Sequence, residues 1–177
     1  MTETSKIYLA GPDIFSFEAG KILEEMRDVC ASHGLQGITP LDGEPLPESL
    51  SRQEKASIIY QRNLALIDQS AGIVANFSPF RGIAMDPGTA FEVGYAKAKG
   101  LPISAWSEDD RDYLIRVSGA YGGNLRKGED QVWRDPSGIE VEDFGLTDNL
   151  MITVPAGDIA HSFEEAVRRI AEKLNRE

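Results

Sequence analysis

Short apolar runs separated by longer stretches of helical period constrain this chain more than any other feature. Such runs need burial on both sides, and a parallel sheet covered by helices provides it. They occupy residues 6–10, 37–40, 72–77, 101–106 and 150–154. Between the first two, Ala19, Ile22, Leu23, Met26, Val29 and Cys30 share one helical face that closes at Gly34. A second helix is expected from about 51 to 69, with Ile59, Leu66 and Ile67 turned inward. Asp86-Pro87 opens a third, because Asp caps free N–H groups and Pro suits the first turn; it ends near Gly100. Ser162 and Glu165 read as a capping box ahead of Phe163, Val167, Ile170 and Leu174. The polar segment 107–145 is expected to form surface loops with a small excursion, not a second domain. The expected fold is α/β: a single domain over residues 1–177, built on a doubly wound parallel sheet of about five strands, flavodoxin-like or Rossmann-like, with helices on both faces.

In a sheet of this kind ligands sit beyond the C-terminal strand ends, where the winding direction reverses. Three segments should meet there: Gly11-Pro12-Asp13, the loop 78–85 with the helix start at Asp86, and Asp42 with Glu44 after the second strand. Charge narrows the ligand. At a formal −11 the chain is a poor partner for a nucleic-acid polymer, whose binding draws on clustered Lys and Arg. Small building blocks remain. The single Cys30 forms no internal disulfide and falls on an apolar helical face, as a buried thiol does. The N-terminal MTETSKIYLAGPD lacks a signal-like apolar run and no window approaches the roughly 20 apolar residues of a membrane span, so the cytoplasm is the expected compartment.

The stretch DPGTAFEVGYA places one carboxylate, Glu92, among small and apolar residues two turns into a helix. A Glu there either points to solvent or lines a hollow. Gly88, one turn earlier on the same face, opens space above it, and Asp86 supplies a second carboxyl group at a helix start that favours negative charge. Paired carboxylates are what glycosidic-bond cleavage requires: one attacks the anomeric centre, the other manages the proton on the leaving group. The first loop, with one Gly and no Lys or Arg, is a poor phosphate cradle and better suits a neutral ligand. Phe15 and Phe80 either stack on a base or pack in the core, and Arg81 either binds a ligand or pairs with an acidic side chain. His33 and His161 lack ligand-spaced partners, so metal catalysis has no support.

With these residues in view the chain resembles the nucleoside 2-deoxyribosyltransferase family over most of its length. KIYLAGPDIF resembles the family's first strand and loop, PLDGE the loop after its second strand, NFSPFRG and DPGTAFEVGYAKAKGLPI its central segment, and DNLM a segment that reaches a neighbouring subunit's site. The resemblance implies that Glu92 is the nucleophile, that Asp86 assists proton transfer, and that Tyr8 orients the Glu92 carboxylate. It further implies that Gly11, Pro12, Asp13, Phe15, Asn76, Phe80, Arg81 and Gly88 surround the substrate, with Glu44 where relatives present an amide to the base. Asn149 and Met151 would reach the sugar from the adjoining chain of a homo-oligomer with shared sites. The implied substrates are deoxynucleosides and free purine or pyrimidine bases, exchanged by a ping-pong reaction through a covalent sugar ester, with retention and without a cofactor, in nucleoside salvage. Two features depart from small family members: the C-terminus is a polar helix ending at Arg176-Glu177 in place of a closing Tyr, and the 107–145 segment is longer. A nucleoside hydrolase of the same superfamily and a non-catalytic nucleoside sensor are the rival readings.

Overall fold

The computed structural model describes residues 4–176; residues 1–3 and 177 lie outside it, including the Glu177 end of the C-terminal departure. Four parallel strands, β1 (Lys6–Ala10), β2 (Gln36–Ile38), β3 (Gly72–Asn76) and β4 (Ile103–Trp106), form one sheet in the order β2-β1-β3-β4. Every residue of β3 and β4 is buried, which accounts for their unbroken apolar runs. Alternate residues of β1 serve opposite faces. Ile7 and Leu9 join the core under α1 (Ala19–Ser32) and α6 (Phe163–Leu174). Tyr8 and Ala10 join the core under α2 (Arg52–Asp68) and α3 (Pro87–Ala98), to which α5 (Leu150–Ala156) adds Ala156. Helices therefore cover both faces, the doubly wound arrangement expected. Cys30 is fully buried, and burial pushes its thiol up to about 12.

The helix starts follow their caps. Ser51 and Glu54 form a reciprocal capping box at α2. Asp86 accepts from Thr89 N at 2.8 Å at the head of α3, with Pro87 in the first turn. At α6 only half of the expected box forms: Ser162 accepts from Glu165 N, while the Glu165 carboxylate takes the N–H of His161 instead.

Residues 150–154 are not a strand. They lie in α5, so the sheet has four strands and not about five. Asn149 caps that helix by accepting from Met151 N at 3.0 Å, and Thr153 Oγ1 donates to the Asp148 carbonyl at 3.0 Å. Ile152, Thr153 and Ala156 turn inward at helical spacing, leaving Met151 and Val154 outward. The place beside β4 is taken by Ala160, which makes a single parallel bridge with Trp106, donates to Ala105 O at 2.8 Å and accepts from Ser107 N at 3.1 Å. Lys173 donates to the next outward carbonyl, that of Ile103.

The 107–145 segment carries α4 (Tyr113–Ala120) and a small antiparallel hairpin, β5 (Arg126–Lys127) with β6 (Trp133–Arg134). No described helix is long and apolar enough to cross a membrane.

Candidate active site

The chain winds from β1 to β2 on one side and then to β3 and β4 on the other, so the reversal lies between β1 and β3. Beyond their C-terminal ends opens a cleft of about 690 Å³. Gly11, Ile14 and Phe15 form one wall; the loop 40–46 forms the second; Ile59, Arg62 and Asn63 of α2 form the third. Asp86, Gly88, Thr89 and Glu92 of α3 form the fourth.

Glu92 is partly buried at the bottom of this space. The fully buried Tyr8 donates its phenolic hydrogen to Glu92 Oε1 at 2.6 Å, and Asn63 Nδ2 donates to the same oxygen at 3.3 Å. Both donors take Oε1, and Oε2 has no hydrogen-bond partner among the described residues. Burial pushes the carboxyl up to about 7, against the opposing pull of the Tyr8 and Asn63 hydrogen bonds and with the nearby charge of Asp86 adding to the rise. Burial and the facing carboxylate push the Tyr8 phenol well above its ordinary range, so it stays a donor. The result is a carboxyl group fixed through one oxygen, with the other unengaged and its ionisation brought close to neutral pH.

Asp86 enters the same cleft from the N-cap of α3, with Oδ2 accepting from both the backbone N and the hydroxyl of Thr89. A Cβ at Gly88 would lie 3.0 Å from that Oδ2, so a side chain there would press on the carboxylate. Gly11 meets a similar limit: a Cβ there would lie 2.4 Å from Asp13 Oδ2 and 2.8 Å from Asn76 Cβ.

Of the residues singled out from the sequence, Gly11, Phe15, Glu44, Asp86, Gly88 and Glu92 come together in the lining, with Tyr8 directly beneath. Asp13 and Asn76 pair with each other at 3.0 Å beside Gly11, and Asn76 Oδ1 accepts from Ser78 N, so this pair ties the first loop to the end of β3. Pro12 starts the short 3-10 turn that carries Asp13 and Phe15. Phe80 stacks on the exposed Phe15 with ring centroids 5.5 Å apart, and the Arg81 guanidinium lies against both rings, 4.8 Å from the Phe80 centroid and 5.8 Å from that of Phe15. Arg81 adopts φ 54, the left-handed region, to reach that position. Asn149 and Met151 stand at the head of α5, outside the lining of this chain's own cleft.

Sequence reasoning missed Arg62 and Asn63. Arg62 donates to the Glu44 carbonyl at 2.8 Å and so fixes the 40–46 loop over the cleft. Neither residue carried a signal, because a polar side chain on an amphipathic helix reads as solvated until the facing carboxylate is placed.

Comparison with known proteins adds the family. Residues 7–151 match the family described as nucleoside 2-deoxyribosyltransferase. An uncharacterized protein of Schizosaccharomyces pombe is 31% identical, across 96% of this chain and 90% of its own length. Among solved structures, a 2-desoxiribosyltransferase from Leishmania mexicana superimposes with a TM-score of 0.73 at 31% identity, covering 95% of this chain and 97% of that one. A conserved protein from Enterococcus faecalis V583 shares the fold with a TM-score of 0.61 at 20% identity, covering 97% and 99%. With a family match over most of its length and the carboxylate pair in the strand-end cleft, the chain belongs to the nucleoside 2-deoxyribosyltransferase family.

Proposed function

We propose that this chain exchanges the base of a 2-deoxynucleoside by double displacement through a covalent deoxyribosyl ester on Glu92, with retention of configuration. One observation carries this reading: Glu92 is a partly buried carboxylate held at Oε1 by Tyr8 and Asn63, with Oε2 unengaged in a cleft shared with Asp86. In the first step Oε2 attacks C1′. The C1′–N bond breaks, its electron pair passes to the base nitrogen, and Asp86 assists delivery of a proton to the base. In the second step a nitrogen of the incoming base attacks C1′, the ester bond breaks, and the Glu92 carboxylate is restored as the base loses a proton. Each half-reaction inverts C1′, and two inversions retain it.

The leaving base lies against Phe15, which Phe80 and Arg81 back, and Glu44 faces the base edge from the 40–46 loop. Asp13 and Asn76 shape the first loop, and Gly11 and Gly88 keep the sugar subsite open. Asn149 and Met151 complete the sugar subsite of a neighbouring copy in a homo-oligomer. The support for this is their position outside their own chain's cleft, with Met151 74% exposed and Val154 65% exposed on the same helical face. The reading places the protein in cytoplasmic nucleoside salvage.

The test is incubation with a deoxynucleoside, with and without a second free base, followed by chromatography. A new nucleoside that forms only with the acceptor is expected. Release of free base at a rate indifferent to the acceptor assigns a hydrolase instead, and no turnover across a nucleoside panel assigns a binding role. A parallel arm with a 5′-monophosphate tests whether Arg62, the one cation of the described lining, accepts a phosphate.

A further inference from the structure

The loop that delivers Asp86 to the cleft is held from behind by a buried ion pair. Arg116 of α4 and Asp148, just before α5, have side chains only 3% and 2% exposed. Arg116 Nη1 donates to the Ile83 carbonyl at 2.8 Å, and Asp148 Oδ2 accepts from Met85 N at 2.9 Å. Both grips fall within three residues of Asp86. The other oxygen of Asp148, Oδ1, accepts from Asn149 N at 2.8 Å, and its carbonyl accepts from Thr153 Oγ1. One carboxylate therefore joins the loop before Asp86 to the cap of α5.

Two backbone donors need two acceptor oxygens, which a carboxylate has and an amide lacks. The pair is also poorly built for stability. The guanidinium nitrogen Nη2 lies 3.5 Å from Asp148 Oδ2, and Arg116 Nε and Nη2 have no hydrogen-bond partner. A buried pair with unpaired donors is commonly matched or bettered in stability by apolar residues of the same size, so its geometry fits a role in holding the loop better than one in stabilising the fold.

We infer that Asp148 and Arg116 are positioning residues that fix Asp86 against the leaving base by clamping Ile83 and Met85. The inference rests on the proposed transfer reaction. It gives the 107–145 segment a purpose, since α4 lies within it and carries Arg116.

A substrate pair separates positioning from general damage. The base of 2′-deoxyguanosine needs a proton to leave, whereas the base of 7-methyl-2′-deoxyguanosine already carries its positive charge. In the full-length chain, Asp148→Asn should lower kcat on the first by about 100-fold and on the second by no more than about 3-fold, with KM little changed. Asp86→Asn should show the same split. Partial unfolding would lower both substrates equally, and an equal loss overturns the inference. If Asp148→Asn does not fold, the double variant Arg116→Met with Asp148→Leu, which leaves no buried charge, carries the test: a split supports the clamp and an even loss overturns it. Hydrogen exchange at the Met85 amide gives a readout without turnover; it should speed up in either variant, and unchanged protection overturns the clamp. Wild-type chain inactive on both nucleosides would remove the transfer reaction and this inference together, whereas an active wild type with an even loss in the variants removes the inference alone.

Discussion

Two hollows of nearly equal size lie on this molecule, and they differ in almost everything else. The cleft at the strand ends has about 690 Å³, and the hollow formed by the β5–β6 hairpin and the turns beside it about 730 Å³. The second is lined by Arg126, Lys127, Arg134 and glycine-bearing turns. Most of its charged groups are already engaged, the exposed Arg126 apart: Asp130 takes the Arg134 guanidinium, Lys127 lies over Trp133, and Asp135 accepts from the N–H groups of Ser137 and Ile139. The first hollow holds a carboxylate with a free oxygen, and burial moves its ionisation to about 7. Volume therefore does not single out the candidate site; a constrained, desolvated group that still lacks a partner does.

The sharpest break between the two hollows is Glu92→Ala. If Glu92 is the nucleophile proposed above, exchange should fall on the order of 10⁴-fold or more with the fold retained by circular dichroism. Undiminished exchange would falsify the assignment. Smaller is the expected effect of Tyr8→Phe. It deletes a hydrogen bond that holds the Glu92 carboxyl down, so the acidic limb of log kcat/KM should move upward from about 7, and the rate at pH 7 should drop roughly 10- to 100-fold. An unmoved limb would show that the phenol does not tune the carboxylate.

Stability should report the same group. The folded chain keeps the Glu92 proton up to about pH 7, while the unfolded chain releases it near 4.5. The native state therefore binds more protons across that window, and stability falls as the pH rises through it. Relative to the wild type, Glu92→Gln, which carries no charge, should gain on the order of 2 kcal/mol on going from pH 4 to pH 8 in denaturant titrations. A gain of equal size at both pH values would mean that the effect is packing and not charge. The smallest effect belongs to the other hollow: Arg126→Ala and Lys127→Ala should leave exchange within about twofold. A large loss there would erase the contrast between the two spaces.

The sequence announced the half of the candidate site that obeys local rules. Asp86-Pro87 is a helix start by the chemistry of its cap, and Glu92 stands out because its neighbours are small and apolar. Asn63 and Arg116 could not be read in this way. Each matters through a partner 29 or 33 residues distant, Glu92 and Ile83, and nothing local in a helix records such a contact. The run LMITV misled for a related reason. Its apolar, β-branched content fits a buried strand, yet the cap at Asn149 and the Thr153 hydroxyl bond close it into a helix once Ala160 occupies the sheet edge. Composition leaves open whether an apolar face is buried in its own chain or offered outward, as at Met151 and Val154.

The way β4 ends its sheet has a consequence for solubility. An open strand margin invites another protein to add a strand, the first step toward fibrils. Here Lys173 occupies the Ile103 carbonyl, Ala160 occupies Ala105 and Ser107, and the opposite margin, β2, is only three residues long. Neither margin offers an incoming chain a long template, which disfavours endless strand-by-strand polymers.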